Sequence, residues 1–251
     1  MKIDYIDKKL HSRKKIIFLH LFPGILNILV IMLLFHLSEY IGIFSLNLPY
    51  FMVIISIVPF QLGYLLYTSK MTTGTYKIGK IITYQNKSKF IEYIIFIGII
   101  IAWAIFINRF LEPFEIIIRD KFFIFVPDKV AFRNINLTKF SKNELLFTGI
   151  FGIITNGILA PIIEELYFRG YLLSKIDLSP KCAVVVNAIL FSSYHFFSPW
   201  FFLSRLLMVI PIYYWTIKRK NIRFSLIAHL TANLYTNIRL LISILAIISI
   251  K

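Results

Sequence analysis

Seven apolar runs divide this chain, at about residues 16–36, 48–67, 91–110, 145–173, 182–198, 200–217 and 224–250, each near or above the ~20 residues that cross a hydrocarbon layer. Within lipid every backbone N–H and C=O must be satisfied inside the protein, so the runs are expected to be helices. The expected fold is an all-α polytopic transmembrane helical bundle of about seven spans, or eight if the 27-residue last run is one span plus a short extra helix. Ser198, Pro199 and Trp200 make a tight hairpin between the fifth and sixth runs. A mean hydropathy of +0.77, with 58% hydrophobic and 16% charged residues, exceeds the apolar share of a soluble domain. The 25 Phe and 14 Tyr suit lipid contact and interfacial belts. A single cysteine, Cys182, excludes an intramolecular disulfide and a multi-cysteine metal knuckle.

The formal net charge of +16 does not point to nucleic acid, because Lys and Arg are divided among short segments between the runs and form no basic face or reader motif. They read as topology signals. Six precede the first run (Lys2, Lys8, Lys9, Arg13, Lys14, Lys15), none lie in 37–47, and five lie in 68–90 (Lys70, Lys77, Lys80, Lys87, Lys89). Lys218, Arg219, Lys220 and Arg223 mark another inside loop, so the N-terminus is expected in the cytoplasm. The first run is span-length with no Ala-x-Ala-like site after it, and is expected to stay as an anchor. Residues 111–144 resist the scheme: Arg119, Lys121, Lys129, Arg133, Lys139 and Lys142 fall on the outside by alternation. Either this stretch lies on the interface or the span count is off by one. The chain divides into an N-terminal transmembrane region, 1–140, with about three spans and an interfacial loop, and a C-terminal transmembrane core, 141–251.

Three polar stations lie in the C-terminal runs. Glu164 and Glu165 sit side by side in Gly157-Ile-Leu-Ala-Pro-Ile-Ile-Glu-Glu-Leu-Tyr-Phe-Arg169, where an unpaired carboxylate is hard to tolerate. Glu165 and Arg169 are four apart, acid first, and can pair on one helix face. Glu164 points about 100° away and stays free for substrate or water. Pro161 should kink the helix and leave the Gly157 carbonyl unsatisfied, with a packing kink as the plainer alternative. The second station is His195, on a stripe with Asn187 and Phe191; a lone intramembrane histidine is more often a hydrogen-bonded core residue. The third is His229 with Asn233 four residues on, a face that can equally hold helices together. At ~1.5 Å per residue, Glu164, His195 and Asn233 lie ~15–20 Å from the nearest inside loops and His229 ~9 Å, so the stations can converge. His20, without an evident partner, His36, Glu39 and Arg205, which can extend its head to the outer interface, carry no assigned chemistry.

Glu164-Glu165-x-x-x-Arg169, Phe191-x-x-x-His195 and His229-x-x-x-Asn233 resemble, in order and spacing, the three motifs of the CAAX protease and bacteriocin-processing (Abi) family, and Phe168-Arg169-Gly170 is also typical of it. The resemblance covers about residues 145–240. It implies an all-helical intramembrane endopeptidase with Glu164, Glu165, Arg169, His195, His229 and Asn233 as its candidate catalytic set. In the glutamate-type mechanism it implies, Glu164 and His195 activate a water, the Glu165–Arg169 pair fixes geometry, and His229 and Asn233 donate to the oxyanion. The rival chemistry holds zinc on Glu164, His195 and His229, although the chain lacks His-Glu-x-x-His; no cofactor is the favoured expectation. The expected partners are membrane lipid and a peptide or lipidated-protein substrate, the expected location a bacterial plasma membrane. A proton or ion pathway and a peptide-sequestering immunity or scaffold factor are the non-enzymatic alternatives.

Overall fold

In a computed structural model, residues 10–41, 45–126, 128 and 135–250 are described. Among these residues seven long helices follow one another: α1 (Arg13–Ile41), α2 (Leu48–Thr73), α3 (Phe90–Phe122), α4 (Lys142–Lys175), α5 (Pro180–Tyr194), α6 (Pro199–Arg219) and α7 (Arg223–Ile250). Six are long and apolar enough to cross a membrane; α5, at 15 residues, is the short one. Among the described residues there is no strand, and one isolated bridge joins Gln85 to Asn221. The all-α bundle is the fold that the apolar runs predict. α3 extends to Phe122, so the first third of the 111–144 stretch continues a helix instead of forming an interfacial loop.

The packing is inverted relative to a soluble bundle. Large apolar side chains such as Leu29, Ile99, Phe106, Phe110 and Ile242 face outward, whereas His20, Asn27, Ser56, Gln61, Glu164, Glu165, Arg169 and Asn187 are buried. α1 shows how this arises: His20, Gly24, Asn27, Ile31 and Leu34 follow at helical spacing and form one buried stripe against α2 and α5. Gly24 is required there, because a Cβ would overlap the Tyr194 carbonyl and the Phe196 ring. His20 is fully partnered, contrary to the expectation above: Nδ1 donates to the Ile16 carbonyl at 2.8 Å and Nε2 accepts from Asn187 Nδ2 at 2.9 Å.

Three prolines inside these helices, Pro23, Pro161 and Pro211, free backbone carbonyls that side chains from other helices take up. Pro23 in α1 has no N–H for the Leu19 carbonyl, which accepts the Tyr167 hydroxyl at 2.9 Å. Pro211 in α6 does the same to Leu207, whose carbonyl accepts Trp103 Nε1 at 3.1 Å and so ties α3 to α6. Around Pro161 the backbone is wider than an α-helix: π-helical turns run over Ile153–Leu159 and Glu165–Tyr171, and the Ala160 N–H bonds the carbonyl of Thr155, five residues back. In that register the acceptor facing Pro161 is Asn156, one residue earlier than the Gly157 expected from α-helical geometry. Asn233 Nδ2 donates to the Asn156 carbonyl at 2.9 Å.

The basic segments collect at one end of the bundle. His11 N–H donates to the Lys175 carbonyl, Thr83 N–H to Gly170, Asn86 N–H to Lys220, and Ile222 N–H to Tyr84. Arg219 pairs with Glu92 at 2.6 Å. Arg119, Lys121, Lys139 and Lys142 lie at the opposite end, where Phe123 meets Trp200 and where Leu46, Leu145 and Ile244 cluster. Alternation of spans therefore holds among the described residues, and Arg119, Lys121, Lys139 and Lys142 keep the charge conflict as a property of the molecule. Lys2, Lys8, Lys9, Lys129 and Arg133 lie outside the described residues, as does the side chain of Glu39.

Candidate active site

A cavity of about 300 Å³ lies between α2, α3, α4, α5, α6 and α7, and Glu164, Glu165, Arg169, His195, His229 and Asn233 all line it. Its remaining wall is mostly apolar, from Met52 and Ile57 of α2, Ile100 and Trp103 of α3, and Met208 and Ile212 of α6. Glu164 lies ~16 Å along the α4 axis from Lys175 and His229 ~9 Å along α7 from Arg223, counting ~1.5 Å per residue. The cavity is thus inside the bundle, approached from the basic end by α4 and α7.

Glu165 and Arg169 form the ion pair expected from their spacing, Oε2 to Nε at 3.4 Å, with both side chains buried. The guanidinium is held chiefly by rings: its central carbon is 3.7 Å from the centroid of Phe191 and 4.0 Å from that of Tyr213. Phe191, the aromatic of the second motif, thus seats the arginine of the first. The other oxygen of Glu165 accepts His229 Nδ1 at 2.9 Å. A carboxylate at Nδ1 fixes the proton there, as an orienting acid does for a general-base imidazole. His229 Nε2 then faces Glu164 Oε2 across 3.8 Å. To donate from Nε2 as well, His229 has to be the imidazolium.

His195 caps α5, where the helix ends. Its Nδ1 donates to the Phe191 carbonyl at 2.9 Å, since a carbonyl can only accept, so in the neutral ring Nε2 keeps its lone pair. Phe191, Tyr194 and Phe197 surround the ring at centroid distances of 4.8, 4.6 and 5.5 Å. Asn233 gives one amide hydrogen to Asn156, leaving the second. Among the described residues no three His, Cys, Asp or Glu side chains, Glu164, His195 and His229 included, are grouped as they would be to hold a metal ion.

Sequence reasoning missed four contributors. Arg205 lines the cavity instead of reaching for the interface, with Nη2 donating to Ser198 Oγ at 3.0 Å. Tyr194 donates its hydroxyl to Glu164 Oε1 at 2.9 Å, and Asn27 and Gln61 bond the same hydroxyl. The available signal was an amide in each of the first two apolar runs and a tyrosine beside the motif histidine.

Comparison with known proteins bears on the same segment. Residues 145–235 match the family described as type II CAAX prenyl endopeptidase Rce1-like. UPF0177 protein YxdF of Lactococcus lactis subsp. lactis (strain IL1403) is 34% identical over 79 residues, covering 32% of this chain and 44% of that protein. No solved structure matches the chain. Six membrane-length apolar helices together with this family make the chain an integral membrane protein. The CAAX endopeptidase description that residues 145–235 match is thus of the same kind as the family that the three motifs resemble.

Proposed function

We propose that this protein is an intramembrane endopeptidase that hydrolyses a peptide bond in a membrane-associated or lipidated substrate. The observation that carries the reading is the meeting of two carboxylates, two imidazoles and an amide from α4, the end of α5 and α7 on one partly apolar cavity. Hydrolysis needs a base for water, donors for the oxyanion and a proton for the leaving amine. Glu164 takes one proton from the water, and the unprotonated Nε2 of His195 accepts a hydrogen bond from the remaining O–H and aims the hydroxide at the scissile carbonyl. The protonated His229, backed by Glu165 at 2.9 Å, and the second amide hydrogen of Asn233 stabilise the oxyanion. Glu164 then returns the proton to the amine. Arg169 holds Glu165 in place and takes no direct part.

The reaction is proposed to use no metal. A cavity with apolar walls suits a peptide tail from a membrane-associated substrate, and the proposed setting is a bacterial plasma membrane with the basic end, and so the N-terminus, in the cytoplasm. The test is comparative peptidomics of membranes carrying wild-type protein or Glu164→Gln. A peptide or tail should accumulate uncut in the variant; identical peptidomes, with both proteins inserted at equal level, would overturn the reading. Cleavage by a chelator-treated preparation should persist, and loss restored by zinc would sink the metal-free mechanism.

A further inference from the structure

The three motifs and the family match lie beyond residue 144, yet a run of buried hydrogen bonds carries the first two helices to the carboxylate proposed as base. Ser56 Oγ on α2 donates to Asn27 Oδ1 on α1 at 2.5 Å. Asn27 Nδ2 donates to the Tyr194 hydroxyl oxygen at 3.0 Å, and Gln61 Nε2, also from α2, donates to that oxygen at 3.2 Å. The Tyr194 hydroxyl donates to Glu164 Oε1 at 2.9 Å. Asn27, Gln61 and Tyr194 are fully buried, and Ser56 almost so.

We propose that Tyr194 is a positioning residue for Glu164, and that Asn27 and Gln61, from the N-terminal region, hold it in that role. The proposal rests on Glu164 acting as the base. A phenolic oxygen has one hydrogen to give and a small capacity to accept. Two amide donors occupy that capacity, so the hydrogen is left with one acceptor, the Glu164 carboxylate. The Ser56 hydroxyl fixes the sense of the Asn27 amide, since its oxygen is engaged by Ser56 and its nitrogen must face the phenol. Donors feeding the phenol also polarise it and strengthen the bond it gives to Glu164.

The consequence is geometric. With Oε1 tied to Tyr194, the carboxylate cannot rotate about its terminal torsion, and Oε2 is presented towards His229 and the cavity. Gly24 makes the arrangement possible, for α1 lies directly on the Tyr194 backbone, and Asn27, three residues on, then shares the face that reaches the phenol.

The first measurement is infrared difference spectroscopy of the purified full chain, with the Glu164 carboxyl band assigned by subtracting Glu164→Gln. Tyr194→Phe should shift that band, and Gln61→Met and Asn27→Leu should shift it in the same sense by less. A band unmoved in Tyr194→Phe, or in Gln61→Met should the former not fold, overturns the proposal. The second is kinetic, on the peptide that accumulates in Glu164→Gln membranes. Tyr194→Phe should lower kcat ~10–100-fold, as loss of a hydrogen bond to a charged group does, with KM unchanged. Gln61→Met should lower kcat by about 2–10-fold, as expected for a neutral hydrogen bond. Equal loss in KM and kcat, or none, counts against positioning. A shifted band without any cleaved peptide removes the protease reading alone, and cleavage lost in Glu164→Gln but untouched in Tyr194→Phe removes the positioning role alone.

Discussion

α3 and α4 are nearly equal in length, 33 and 34 residues, and each is apolar enough to span a membrane, but they are opposites in their surroundings. In the most apolar stretch of α3 11% of residues are buried, against 44% for α4. α3 leans on α6 and α7 and presents Ile94, Ile99, Phe106, Phe110 and Ile117 outward. α4 carries Glu164, Glu165 and Arg169 inward and contains two π-helical segments. Hydropathy thus selects what crosses a membrane without saying which neighbour each side chain meets. The polar residues and irregular turns distinguish the inner helix, because both are tolerated in the hydrocarbon only when protein surrounds them.

The sharpest way to test this contrast is through α4's acids. Glu164→Gln should cut peptide cleavage ~10,000-fold, the upper range for removal of a general base, with helical content and insertion unchanged by circular dichroism and fractionation. Residual cleavage within tenfold of wild type would move the chemistry off α4. Next in size is Arg169→Met, which leaves Glu165 buried without its cation and should destabilise the protein by about 3–5 kcal/mol, read from denaturant titration in detergent. A loss below about 1 kcal/mol would mean that His229 alone neutralises Glu165.

Glycines give a smaller and more direct comparison. A Cβ at Gly152 of α4 would meet the Tyr50 ring at 2.8 Å and Asn237 Oδ1 at 2.9 Å, whereas one at Gly98 of α3 meets nothing within 4 Å. Gly152→Ala should cost about 1–3 kcal/mol by overpacking. Gly98→Ala should be neutral or stabilise by up to about 1 kcal/mol through helix propensity, and a loss there would show that α3 has a close protein neighbour along that face.

Much of the fold was legible because a span needs length and apolarity, and both are local. The α5 segment was harder: the apolar run continues to 198, but the helix stops at Tyr194 and the chain turns at His195. Within the site, the Glu165–Arg169 pair followed from four-residue spacing on one helix. The Glu165–His229 bond did not, because its partners are 64 positions apart and only the packing of α4 on α7 joins them. Pro161 signalled an irregular turn, but assuming α-helical geometry misplaced the freed carbonyl by one residue. Tyr194 was hidden among 14 tyrosines that suit interfacial belts, and Arg205 among the cations that suit helix ends.

The prolines of α1, α4 and α6 are each matched by a donor on another helix: Tyr167, Asn233 and Trp103. Such a match makes two distant positions thermodynamically interdependent. Restoring an N–H at Pro161 would fill the gap that Asn233 now fills, so losing the asparagine should cost less stability in a Pro161→Ala background than in the native chain. Homologous chains that drift at one member of a pair should therefore drift at the other, and the helix breakers of this bundle act as the rivets that keep its members in register.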